Sequence, residues 1–345
     1  MHKKTGFFHF MGIILCLSLF TGGFLISYNS GSLYAQENVP PGKLPPAKPW
    51  RPNGQLTLMC YTGPGTAYDY LARQMAQVIP DYLGKRAIVQ TVVGGSGGNA
   101  LDTLYRAKPD GKTFLLYAVG SQIALTVEKR YPWDIKDINV LLAVDAPPYV
   151  VMTSVKHSKY KNFKDLMETK DVVRIALGGA NMTILPLILQ LEKNGIKYKV
   201  ARFKDNQAAF LAVMGGDAEI TMSALSSIGL DPIRAGDFRA LWQFSNKRLP
   251  ELPDVPTLTE LGMPAEWNSY NLTRLFAVPP GVPMDIQNAL TDGLVKTLQD
   301  KRTVEWSKKA EIPVNIVQRK ELAERFRVIE VGFKQNIEII RRYFF

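Results

Sequence analysis

Leu56-Thr57-Leu58-Met59-Cys60-Tyr61-Thr62-Gly63-Pro64-Gly65-Thr66-Ala67 passes from an apolar strand, through a glycine-bearing turn, into a helix. The helix shows in its period. Tyr68, Leu71, Ala72, Met75, Ala76 and Ile79 recur at helical spacing and share one face, and Pro80 is expected to end or kink it. A second unit of the same kind follows: strand Ala87 to Val93, loop Gly94-Gly95-Ser96-Gly97-Gly98-Asn99, and a helix opening at Ala100-Leu101. Such loops turn the chain sharply and bare the N–H groups of a helix N-terminus. Those groups are unsatisfied donors at the positive end of a helix dipole, so they attract anions. Two of them in one sheet predict a pocket for a small anionic ligand.

Outward from these loops the alternation continues. Pro109-Asp110-Gly111 is a turn before the strand Thr113 to Tyr117. A second series begins near Tyr149, with strands Tyr149 to Thr153, Val172 to Leu177, Lys199 to Phe203, Ala218 to Met222 and Phe238 to Phe244. Helices Thr183 to Asn194 and Gln207 to Met214 lie between them, and Ala289 to Leu298 and Leu322 to Ile340 read as closing helices. Strand–helix alternation implies an α/β fold with mostly parallel sheets, helices on both faces and ligands at the strand C-termini. Two series imply two lobes with a cleft between them.

The start of the chain reads as a targeting segment. His2-Lys3-Lys4 precedes an uncharged apolar stretch from Phe7 to Ile26, and a polar segment leads to Leu33-Tyr34-Ala35. That is the plan of an export signal over residues 1–35, cut after Ala35, with an uncleaved anchor as the alternative. A stretch with prolines at 40, 41, 45, 46, 49 and 52 follows, expected to be an extended tether over 36–54. Loss of Lys3 and Lys4 lowers the formal charge from +11 to +9. The remaining basic residues are dispersed, which argues against nucleic acid and for an ordinary surface with a mild anion bias. Cleavage also removes Cys16 and leaves Cys60 alone, so no internal disulfide is expected.

Three enzyme-like patterns are weak. Gly94-Gly95-Ser96-Gly97-Gly98 fits the G-x-S-x-G elbow of serine hydrolases, but His157 is the one histidine left to serve as base, and it lies in the polar stretch Lys156-His157-Ser158-Lys159. Gly95 to Ala100 fits a relaxed dinucleotide fingerprint without the acidic residue that binds ribose. One histidine and one cysteine make no typical zinc site, so neither cofactor nor metal is expected.

The same loops resemble a known family. Gly63-Pro64-Gly65-Thr66 with Asp69 and Leu71-Ala72-Arg73 is similar to the first loop and helix of the substrate-binding receptors of tripartite tricarboxylate transporters, the Bug-type receptors. Gly95 to Asn99 and Pro109-Asp110-Gly111-Lys112-Thr113 resemble their second loop and following turn. The most specific likeness is Lys247-Arg248-Leu249-Pro250-Glu251-Leu252-Pro253-Asp254-Val255-Pro256-Thr257 with Glu260 and Gly262; Phe276 to Gly281 resembles the return strand. The resemblance spans residues 56–335 and implies a two-lobed periplasmic-binding-protein fold of type II. It further implies a periplasmic, monomeric receptor that closes on a carboxylated solute and delivers it to membrane transporter subunits. An exported hydrolase using Ser96, or a sensor presenting its closed form to a signalling partner, are the alternatives.

Lobe one is expected over 55–148 with 275–345 and lobe two over 149–274, the second crossing falling between 242 and 278. The candidate ligand-binding residues are Thr62, Gly63, Gly65, Thr66 and Asp69 in the first loop and helix start, and Gly97 and Gly98 in the second loop. Ser121 follows the third strand, and Gly179, Asn181, Thr183, Lys204 and Asn206 come from lobe two. Bland readings stand beside these: Thr66 and Thr183 as helix caps, Asp69 as a first-turn charge, Lys204 as a solvated lysine. Departures from the family pattern at Gly178-Gly179-Ala180-Asn181-Met182-Thr183 and Phe203-Lys204-Asp205-Asn206 leave fewer hydroxyls and favour an aromatic or longer-chain acid over a plain dicarboxylate.

Overall fold

The computed structural model describes residues 50–134, 137–178, 184–203, 206–271, 273–317 and 319–344; the targeting segment, most of the tether and the loop residues Gly179, Asn181, Thr183 and Lys204 lie outside them. Its strands are β1 (Leu56–Cys60), β2 (Ala87–Thr91), β3 (Thr113–Ala118), β4 (Asn139–Asp145), β5 (Tyr149–Ser154), β6 (Val173–Gly178), β7 (Tyr198–Phe203), β8 (Ile220–Ala224), β9 (Phe238–Gln243) and β10 (Thr273–Val278). They form two five-stranded sheets, ordered β2-β1-β3-β10-β4 and β7-β6-β8-β5-β9. β1 runs parallel to β2 and β3, as β6 does to β7 and β8. The expectation of mostly parallel sheets needs one correction in each. β10 is antiparallel to β3 and β4, and β5 is antiparallel to β8 and β9. Each reversed strand is the first one laid down after the chain crosses between sheets, so it enters from the opposite end.

Residues 67–83 form α1 (Ala67–Leu83), followed by α2 (Gly98–Tyr105) and α3 (Val119–Val127). Both faces of the first sheet are covered, which explains the nearly unbroken apolar run of β1. Leu56, Leu58 and Cys60 share a core with Tyr68, Leu71, Ala72 and Met75 of α1, while Met59 faces a second core with Leu101 and Leu104 of α2. α1 does not stop at Pro80. It runs on to Leu83 and closes when Gly84, at φ 74°, donates its N–H to Pro80 O. A proline in the last turn removes only one backbone bond, which the packed face tolerates.

The second sheet carries α4 (Phe163–Met167), α5 (Ile184–Lys193), α6 (Asn206–Gly215) and α7 (Ser227–Arg234), and the chain ends in α8 (Met284–Gln299), α9 (Lys301–Ala310), α10 (Arg319–Gln335) and α11 (Ile337–Phe344). α8 starts five residues ahead of Ala289, directly after Pro283 and with Asp285 in its first turn. The expected single closing helix is two, broken at Asn336, whose amide donates to Gly332 O. α11 touches elements of both sheets: Arg341 pairs with Glu128 at the end of α3, and the Tyr343 ring lies 6.0 Å from that of Tyr198 in β7.

The chain crosses from the first sheet between Asp145 and Tyr149 and returns between Gln243 and Thr273, and Asn271 ties the two crossings together. Its Oδ1 accepts the Tyr149 N–H at 2.9 Å, and its Nδ2 donates to Phe244 O and Asn268 O. Residues 50–54, assigned to the tether from sequence, are packed instead: Pro52 is buried, Trp50 joins the α1 core, and Arg51 donates to Tyr82 O at 3.0 Å.

Candidate functional site

The first loop is held by a relay of hydroxyls. Thr66, extended at φ −86°, ψ 161°, caps α1 by accepting from Asp69 N at 3.3 Å. Its own hydrogen goes to Gly63 O at 2.9 Å, so the 2.6 Å contact with Thr62 has the Thr62 hydroxyl donating. Thr62 in turn can accept from the Cys60 thiol at 3.4 Å, and burial pushes that thiol's pKa up, keeping its proton in place. Gly65 sits at φ 81°, a left-handed conformation that favours glycine.

Asp69 is committed to this loop. It is buried, its Oδ2 accepts from Gly65 N and from Arg73 Nε, each at 3.0 Å, and Arg73 Nη2 lies 2.9 Å from Oδ1. Burial alone would raise its pKa; the Arg73 hydrogen bond and the Gly65 N–H outweigh that and lower it. Asp69 therefore stays ionised and locks the turn onto the first helical turn. Tyr70 N bonds to Thr66 O, which leaves the N–H groups of Ala67 and Tyr68, among the described residues, as the α1 donors not consumed within the loop.

The second loop lies against the first. A Cβ at Gly97 would approach Tyr61 Cδ2 to 2.8 Å, and one at Gly98 would fall 2.2 Å from the Tyr131 hydroxyl. Tyr61 and Tyr131 thus cover the loop where only glycine leaves room, and Tyr131 stacks on Trp133 at 5.0 Å. Ser96 itself adopts φ 54°, ψ 32°. His157 packs instead against Gly216, beyond the second sheet's α6. Ser121 lies within α3 rather than in a loop after β3.

From the second sheet, Asn206 opens α6 and is pressed onto the end of β6. A Cβ at Gly178 would stand 2.5 Å from Asn206 N. The structure thus brings Thr62, Gly63, Gly65, Thr66, Asp69, Gly97 and Gly98 together on the first sheet, and places Asn206 at the strand end of the second. Sequence reasoning missed the aromatic residues over these loops, Tyr61 and Tyr131, and the buried Arg274 of β10. Their signal was faint: Tyr61 was read only as the last residue of a strand, and an arginine inside an apolar strand was not singled out.

Comparisons with known proteins bear on the family and the fold. The sequence model of the family described as "Tripartite tricarboxylate transporter family receptor" matches residues 71–342. Protein BugT of Bordetella pertussis is 28% identical over 253 residues, covering 70% of this chain and 76% of that protein. Among solved structures, MatC from Rhodopseudomonas palustris with bound malate superposes with TM-score 0.68 at 17% identity, covering 82% of this chain and 99% of that one. R. palustris Rpa4515 with adipate gives 0.66 at 20% identity, covering 84% and 97%.

Proposed function

The chain belongs to the tripartite tricarboxylate transporter receptor family, a family of solute-binding proteins rather than enzymes, and from that premise we propose that it captures a small carboxylated organic acid in the cleft between its lobes. The observation that carries this reading is the first loop: a rigid, internally bonded turn that leaves the Ala67 and Tyr68 N–H groups of a long helix as donors for an anion. Lobe one takes 55–148 and the chain from the start of β10 onward, and lobe two the residues from 149 up to β10, so that Thr273 and Arg274 fall in lobe one. The site takes Thr62, Gly63, Gly65, Thr66, Gly97, Gly98 and Ser121 from the first, with Asp69 as the anchor of its loop. It takes Gly179, Asn181, Thr183, Lys204 and Asn206 from the second. The ligand favours closure because it touches both lobes only in the closed state. The protein works in the periplasm as a monomer and hands the acid, aromatic or longer-chain in type, to membrane transporter subunits. Among the described residues no helix is long and apolar enough to cross a membrane.

A thermal-shift screen against malate, adipate and benzoate tests the reading. A binder raises the melting temperature in proportion to RT ln(1 + [L]/Kd), so a saturable, concentration-dependent rise with at least one of the acids is expected. No shift with any acid up to millimolar concentration would overturn the proposal.

A further inference from the structure

The return strand β10 carries a charge into the interior of the fold. Arg274 is 2% exposed and lies on the α1 side of the first sheet, its guanidinium carbon 5.6 Å from the centre of the Tyr68 ring. Nη1 donates to Asp145 O at 2.9 Å and to Pro313 O at 3.0 Å. Nε has no hydrogen-bond partner among the described residues. The Asp145 carboxylate helps offset the charge but is shared, its Oδ1 being paired with Arg325 at 2.8 Å. Three phenols, Tyr61, Tyr68 and Tyr149, stand around Arg274 as well. Burial pushes the pKa values of Tyr61 and Tyr68 up, so they remain neutral and contribute hydroxyls rather than charge.

A buried guanidinium with its Nε–H unmet and a shared carboxylate as counter-charge is expensive for the folded state. A binding protein keeps such a group where an anion arrives to pair with it. The position suits that role. Tyr61 is the first residue beyond β1, is partly exposed, and lies on Gly97 of the second loop. It also meets the Tyr68 ring edge-on at 5.0 Å. Tyr149 begins β5 just past the first crossing, and Arg274 is the second residue of β10 just past the return. The cluster therefore stands beside both glycine loops and both crossings.

We propose that Arg274 is the carboxylate-recognising residue of this receptor, its unpaired edge forming a charge-assisted pair with one acid group of the bound solute beside Tyr61 and Tyr68. This rests on the receptor reading above. An unmet guanidinium N–H pairs far better with an ionised carboxylate than with its neutral amide, so this end of the site takes a single carboxylate and rejects the amide.

Calorimetric titration of the full mature chain with malate, adipate and benzoate, and with the amide of whichever binds, tests it. In Arg274→Met the affinity for the binding acid should fall at least about 30-fold, because removing one member of a desolvated charge pair leaves the other unpaired. Arg274→Lys should recover part of that loss, and Tyr61→Phe should cost less than about tenfold. Wild-type affinity in an Arg274→Met variant that still unfolds cooperatively overturns the assignment. If that variant does not fold, the amide decides: acid and amide binding equally well to the wild-type protein overturns it, while rejection of the amide together with weakened binding in Arg274→Lys supports it. Failure of all three acids to bind the wild type overturns the receptor reading and this one with it, whereas acid binding that is indifferent to Arg274 overturns this one alone.

Discussion

Close to the crossings each sheet pairs one valine with one buried polar side chain: Arg274 with Val144 in the first, one rung in from the Thr273–Asp145 end, and Gln243 with Val150 in the second. Gln243 is fully buried and fully bonded. Its Nε2 donates to Leu252 O at 3.2 Å and Val255 O at 2.6 Å, and its Oε1 accepts from Leu249 N at 3.0 Å and Ser245 Oγ at 3.2 Å. The surface turn that follows β9 is wound around this one amide. Arg248 adds an outer tie, reaching Glu260 and Pro253 O. Arg274 has part of its donor edge unmet. Neighbouring positions at the crossings of the two sheets thus hold one polar group that is complete in the folded chain and one that is not. A satisfied buried group specifies structure, and an unsatisfied one stores an interaction for something else.

Gln243→Leu should break this contrast most severely. It leaves the Leu249 N–H and the Leu252 and Val255 carbonyls without their partner, which costs about 3–5 kcal/mol of stability. Urea unfolding would show the drop, while Arg274→Met should stay within about 1–2 kcal/mol of the wild type, since relief of a buried charge offsets two lost carbonyl bonds. Equal losses in the two variants would remove the distinction.

The first loop sharpens it further. Gly65→Val forces a branched side chain into φ 81° and should cost about 1–3 kcal/mol and weaken acid binding as the turn deforms. Gly63→Val, where an added Cβ meets nothing within 4 Å, should change stability by no more than about 0.5 kcal/mol. Paired melting curves of the two variants would check this.

Asp69 carries a smaller effect than Gly65, and one that depends on pH. Its folded pKa lies below its unfolded value, so its contribution is present above the ordinary carboxylate range and is lost as pH falls through the folded value. Asp69→Asn should lower stability at neutral pH by up to about 1 kcal/mol, as the ion pair to the half-exposed Arg73 is lost, and flatten the acid limb of a stability–pH profile. An unchanged acid limb would mean that the Arg73 and Gly65 contacts contribute nothing.

Much of the architecture was legible. β1 and α1 announce themselves by period, and both glycine loops lie where the strand-to-helix pattern put them. Strand direction was not legible, because the apolar run of β10 reads the same whichever way it enters the sheet. The stretch from Lys247 to Thr257 was the most specific mark of the family, yet in the structure it is a turn organised by Gln243. A shared motif records what folding requires as readily as what a ligand requires. Arg274 was hidden for the opposite reason. Nothing local separates a buried arginine from one at a strand edge, and its meaning comes from Tyr61 and Tyr149, far away in the chain.

Helix α11 gives the two halves a further attachment, as the Arg234–Glu311 ion pair does. Besides the two chain crossings pinned by Asn271, Arg341 grips Glu128 on one side and Tyr343 leans on Tyr198 on the other. Two neighbouring crossings define a pivot line; a link set away from that line limits how far the halves can swing. If the halves close on a solute as proposed, these contacts would limit the opening, and removal of residues 337–345 is expected to widen it.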